Sequence, residues 1–302
     1  MKLLFRLNFA LILLLSVSFN LSANENSDPV SSVNSVIKDL AQFKLVSVWN
    51  AMPASYQSVV NKLVGKFIKT LDKDTYHSYV NLFKRLSVVL KGKRSIFVSA
   101  PVKPGTEQLH KRFISNLDKL IVIMDAFVNS QISDYDQMLK PDIGRFISGA
   151  GTNIFKTAIS SNAGMQRAWA NNVAKVSVKQ VSRTATQVLL DEVKNGKAKG
   201  KPEAYVKVEG KWIPKAVQAK WKTEFVKFNL KVDGMQAKSK QQNESLQKIL
   251  PLLDQFISNL EKMDDKNKLA QVPAQIGFLM QQISSTMTRR QTPYPQPKPM
   301  AK

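Results

Sequence analysis

Apolar residues in this 302-residue chain recur every three or four positions at both ends and alternate only between Val176 and Ile213. That contrast limits what the chain can fold into, because a period of 3.6 buries one helix face and a period of 2 buries one sheet face. The clearest helical window is 54–71, where Tyr56, Val59, Val60, Leu63, Val64, Phe67, Ile68 and Leu71 share a stripe. Residues 31–50, 75–91, 106–130 and 134–160 follow the same rule. So do 214–231 and the final third, which is built on Leu246, Ile249, Leu253, Phe256, Ile276, Leu279 and Ile283. Asp72-Lys73-Asp74-Thr75 is so short a link that 54–71 and 75–91 are expected to form an antiparallel hairpin. Ser95–Val102 reads as extended, closed by Pro104-Gly105. Gly144, Ser148 and Thr152 place small residues at four-residue spacing, where another element can approach closely.

Within the alternating window, Val176 and Val178, then Thr184 to Leu190, then Ala204, Val206 and Val208 read as strands. Glu209-Gly210 supplies a two-residue turn into Trp212-Ile213, and Asn195 to Lys201 reads as a charged loop. The expected fold is α+β and predominantly α: amphipathic helical hairpins, one small three- to four-stranded antiparallel meander, and C-terminal helices. Val206-Lys207-Val208-Glu209-Gly210-Lys211-Trp212 resembles the V-x-V-x-G-x-W hairpin of small exported domains of the nuclear-transport-factor-like α+β class. The resemblance implies an antiparallel hairpin there; it covers under a tenth of the chain and carries no site residue with it.

The first 23 residues have the order of a secretory signal. Lys2 and Arg6 precede an apolar run from Leu7 to Phe19, and Leu21-Ser22-Ala23 ends in a small residue before a polar stretch. Cleavage is expected after Ala23, placing the mature protein in the periplasm or outside the cell. The expected organisation is a signal peptide over 1–23 and a mature region over 24–290. That region divides into a helical part (24–165), a sheet-plus-helix part (166–235) and C-terminal helices (236–290). A disordered polyproline tail, 291–302, follows.

Lys and Arg number 45 against 22 Asp and Glu, a formal charge of +23, or +21 once the leader is removed. Such an excess favours polyanionic partners. Lysine outnumbers arginine 36 to 9. Lysine acts as a hydrated point charge, whereas arginine supplies bidentate readout, so the balance points to diffuse attraction and away from sequence-specific nucleic acid. The chain has no cysteine. Disulfides, thiolate metal sites, cysteine nucleophiles and a lipidated N-terminal Cys are therefore excluded, and stability must come from burial.

Motifs for catalysis or a cofactor are missing from the sequence. His77 and His110 are the only histidines and stand apart, which is too few for a metal site built on converging ligands. Asp134 and Asp136 read as a helix cap and a first-turn acid, and Asp264-Asp265 as a break between helices. No Gly-x-Ser-x-Gly or Gly-x-x-x-x-Gly-Lys occurs, and Gly144–Gly151 follows no strand. An enzyme whose groups converge only in three dimensions stays open at this point.

The strongest signal is basic. Lys194, Lys197, Lys199, Lys201, Lys207, Lys211, Lys215, Lys220 and Lys222 fall within 29 residues, interleaved with Trp212 and Trp221. These nine lysines with Trp212 are the candidate binding residues; Lys91, Lys93, Arg94 and Lys103 form a smaller group. The reading is an exported, non-enzymatic protein of a Gram-negative-type envelope. It would bind lipopolysaccharide, anionic lipid or acidic glycan peripherally. The alternatives are a periplasmic holdase for acidic unfolded clients and an envelope hydrolase.

Overall fold

The computed structural model describes residues 28–102, 104–237, 239–269 and 271–288; the segment read as a signal, Lys103 and the proline-rich C-terminal segment lie outside them. By their contacts these residues divide into two compact units, each assembled from two stretches of chain. The first joins residues 28–71 to Val122–Ala237, and the second joins Asp72–Ile121 to residues 239–288.

The first unit begins with helices α1 (Pro29–Ala41), α2 (Leu45–Asn50) and α3 (Ala54–Ile68). Asp28 starts α1 by accepting from the Ser31 amide at 3.0 Å, with Pro29 in the first turn, where a missing N–H costs nothing. Further on lie α7 (Tyr135–Leu139), α8 (Ile143–Phe146), a π-turn over Ile147–Gly151, α9 (Thr152–Ser160) and α10 (Ala163–Asn172). Asp134, Asp142 and Asn162 cap α7, α8 and α10 through their side chains. The 134–160 stretch is thus several short helices, and two of its approaches depend on glycine. A β-carbon on Gly144 would lie 2.5 Å from Trp49 Nε1, and one on Gly65 of α3 would lie 2.5 Å from the Leu139 carbonyl oxygen.

The sheet follows: β1 (Val176–Arg183), β2 (Gln187–Lys194), β3 (Lys197–Ala198), β4 (Glu203–Val208) and β5 (Lys211–Pro214). All pairs are antiparallel, in the order β1-β2-β4-β5 with β3 added to β2. Val188 faces Tyr205 across β2–β4, and Lys207 faces Trp212 across β4–β5, so these side chains share one sheet face. That face buries Val178, Val188, Leu190, Tyr205 and Trp212 with Val33 of α1. Asn34 secures the edge strand β1, accepting from the Val178 amide at 2.7 Å and donating to its carbonyl at 3.0 Å. After β5, α11 (Lys215–Ala237) packs on β4, β5 and α3.

The second unit holds α4 (Lys73–Gly92), α5 (Arg94–Ser99), the first part of α6 (Glu107–Val128), α12 (Ser239–Lys262), α13 (Lys266–Leu269) and α14 (Val272–Thr288). Ile249, Leu279 and Ile283 form the seam between α12 and α14. Arg85 of α4 binds Glu261 of α12 through two hydrogen bonds of 2.8 and 2.9 Å. It also donates to Ser258 and Asp254.

The fold is α+β and mostly helical, with a small antiparallel sheet and C-terminal helices, as the periodicity requires. One local expectation is corrected. Ser95–Val102 is not extended: Arg94–Ser99 is helical because Phe97, only 1% exposed, must reach the Phe113 ring, 5.4 Å away. Within the first unit α3 packs on α7 and α11, and within the second α4 packs on α12.

Candidate functional site

Both tight turns of the sheet put two consecutive residues at positive φ, the geometry that matches strand twist in a two-residue hairpin. In one, Asn195 and Gly196 take 52° and 76°; in the other, Glu209 and Gly210 take 47° and 79°. The Asn195-Gly196 turn converts what reads as a charged loop into strand β3, and it sets Lys197 directly opposite Lys194. The Lys199 amide then donates to the Glu192 carbonyl at 2.8 Å, and the Asn195 amide to the Lys175 carbonyl at 3.4 Å. One end of the sheet therefore carries Lys175, Lys194, Lys197, Lys199 and Lys201, the last three exposed. Lys194 Nζ donates to Asn172 at 2.9 Å and Lys175 Nζ to Asn171 at 3.2 Å, so both heads are held by neutral amides.

The remaining candidates lie elsewhere. Lys211 pairs with Val208, beyond the point where Val206 meets Gln187, so Lys207 and Lys211 stand near the opposite end of the sheet. At about 3.3 Å per residue, Lys211 is roughly 30 Å along the strand direction from Lys194. Lys215, Lys220 and Lys222 ride on α11, where Lys215 Nζ donates to Gln187 at 3.3 Å. Nine lysines contiguous in sequence thus become separate surfaces.

Trp212 needs correction as a contact residue. Its ring is 4% exposed and belongs to the core under α1, because its register with Lys207 turns it to the buried face. Trp221 is half-buried and lies flat on Tyr56, ring centroids 4.0 Å apart and planes 7° off parallel. Neither ring is offered outward as a head-group or sugar platform.

Carboxylates near the basic end are few and constrained. Glu203 is half-buried opposite Leu190, and burial, with help from Glu192, pushes its carboxyl above the usual range. Asp191 is 7% exposed, with one oxygen lacking a hydrogen-bond partner among the described residues. Its cross-strand partner is Lys179.

A cavity of about 430 Å³ in the first unit is lined by Ser130, Ser133, Asp134, Gln137, Arg145 and neighbouring residues. Its hydroxyls and carboxylate serve the backbone. Ser130 donates to Phe127, Ser133 donates to Ser130, and Asp134 caps α7. Neither histidine lines it. Among the described residues no group of three or more His, Asp or Glu is placed to hold a metal ion. No helix among them is long and apolar enough to cross a membrane.

Lys175 precedes β1 and joins the basic end only through the pairing of β1 with β2, which the spacing along the sequence does not show. The turn that makes that pairing is closed by Thr184, whose amide donates to the Gln187 carbonyl at 2.8 Å, and it carries no Asn-Gly signal. No family model, curated protein or solved structure matches this chain.

Proposed function

We propose that this protein is exported and binds anionic material of the cell envelope, such as lipopolysaccharide, acidic glycan or lipid head groups, through the lysine-bearing end of its sheet. One observation carries the reading: Lys194 and Lys197 are cross-strand partners. Like charges directly opposite one another destabilise a strand pair, and an anion bound between them reverses the sign of that term. Lys199 and Lys201 extend the positive field along the same loop, and Lys175 is tied beside it. Lysine heads, without arginine forks, suit a partner recognised by charge density. The leader-like N-terminus supports the location, since it would deliver the protein to where such polyanions are exposed.

Retention on immobilised heparin, read as the salt concentration at elution, tests this directly. Changing Lys197, Lys199 and Lys201 together to Glu is expected to move elution to much lower salt. The same charge change at Lys62, Lys140 and Lys156, exposed lysines elsewhere on the surface, is expected to move it less. Equal shifts for the two triple variants would sink the reading, because attraction would then follow net charge alone.

A further inference from the structure

α11 is apolar on two opposite sides. Trp221, Phe225, Phe228 and Val232 face inward, half-buried or buried, and Trp221 stacks on Tyr56 of α3. On the outward side, Ala219, Val226 and Leu230 fall within an arc of about 40° at 100° per residue, with the small hydroxyl of Thr223 at its edge. Val226 is 54% exposed and Leu230 64% exposed. The stripe is bordered by lysines on both edges: Lys215 and Lys222 along one, and Lys220, Lys227 and Lys231 along the other, all exposed. A solvated helix in a globular protein normally turns charge outward. Here the charge sits at the flanks and the outermost line is uncharged and mainly apolar.

We infer that the outer face of α11 is a docking surface for an anionic lipid bilayer, lying in the plane of the interface with Val226 and Leu230 dipping among the acyl chains. The lysine flanks fit phosphate-bearing head groups, and their four-carbon stems let the ammonium heads reach outward while the stripe sinks. A second copy of this chain fits poorly, because it would set five lysines against five. The nearby acids are already engaged: Glu224 binds Lys227 at 2.8 Å and Asp233 binds Lys66 at 2.6 Å. The apolar area is small, so attachment is reversible and depends on lipid charge. This surface is distinct from the Lys194–Lys201 end of the sheet, for which any soluble polyanion would serve.

The chain's lack of cysteine makes the test clean, because Leu230→Cys and Gln218→Cys each create one labelling position in the full-length protein. Gln218 is exposed on α11 but off the stripe. With a polarity-sensitive dye at each, phosphatidylglycerol vesicles are expected to shift the emission at 230 to the blue and leave 218 unchanged. Phosphatidylcholine vesicles and soluble heparin are expected to move neither. Neutralising Lys220, Lys222 and Lys227 to Gln is expected to weaken sedimentation with the anionic vesicles about fivefold per lysine. A dye at 230 that stays aqueous while the protein sediments with vesicles overturns the inference. A concentration-dependent shift without vesicles also overturns it, in favour of self-association. Heparin elution that ignores the 197/199/201 variant, with the vesicle response at 230 intact, would remove the proposed function and leave this inference standing.

Discussion

Trp221 covers Tyr56 face to face, and that stack fastens α11 to α3. Tyr56 is 9% exposed, and burial, reinforced by Glu209, raises its hydroxyl above the ordinary tyrosine range. Glu209 in turn accepts from the Ser55 amide at 3.0 Å, so the β4–β5 turn, the start of α3 and the middle of α11 meet at one point.

Trp221→Ala is expected to destabilise the first unit by about 2 kcal/mol, below the usual cost for a fully buried ring because this one is half-buried. Trp221→Phe should recover roughly half of that by keeping a stacked ring. Urea midpoints followed by circular dichroism measure both. An unchanged midpoint for the alanine variant would mean the stack contributes nothing.

Gly144→Ala drives a methyl into the Trp49 indole and is expected to cost about 1–3 kcal/mol by overpacking. Gly149 offers the contrast: a β-carbon there meets nothing within 4 Å, so Gly149→Ala is expected to be neutral or slightly stabilising. Thermal melts of the pair decide the point, and similar melting temperatures would show that the 144 contact yields.

Asp72 caps α4 by accepting from the Thr75 amide at 2.8 Å and its hydroxyl at 2.7 Å. The Thr75 bonds hold its carboxyl below its ordinary value of 3.8. A lowered folded-state value means that this stabilisation is complete above the unfolded value and is lost as the pH falls through the folded one. Asp72→Ala is expected to cost about 1 kcal/mol at pH 7, and the gap from wild type should close between about pH 5 and pH 2. Denaturant midpoints across that range are the measurement; a gap independent of pH would refute the charged cap.

Arg85 and Glu261 form a two-pronged pair between α4 and α12, and both are partly exposed. A double-alanine cycle is expected to give a coupling of about 0.5–1 kcal/mol that shrinks in molar salt. A coupling near zero at low salt would leave the α12–α14 seam as the main support of that unit.

Much of the architecture was legible because periodicity and turn chemistry are local. The alternation from Val176 to Ile213, the Glu209-Gly210 turn and the Asp134 cap each state their own geometry. What escaped was decided at a distance. Ile96 and Val98 are β-branched and suggest a strand, yet Phe97 is fixed by Phe113, sixteen residues further along the chain. The lysines of 194–222 form one cluster when counted along the sequence. The hairpin register instead sends Lys211 to the far end of the sheet, and strand alternation sends Trp212 into the core.

The two units are interleaved along the chain: the first is left at Leu71, resumed at Val122 and finished at Ala237, and the second waits for α14. Neither can close on its first stretch alone. A chain emerging vectorially holds residues 28–71 until partners arrive from Val122–Ala237, and holds Asp72–Ile121 until the stretch after Ala237 has appeared. The first unit can be completed at Ala237, but only with the opening half of the second already made and still waiting for its partner stretch. Truncation near Leu71 or Ile121 leaves neither unit complete, whereas truncation after Ala237 removes only the closing stretch of the second.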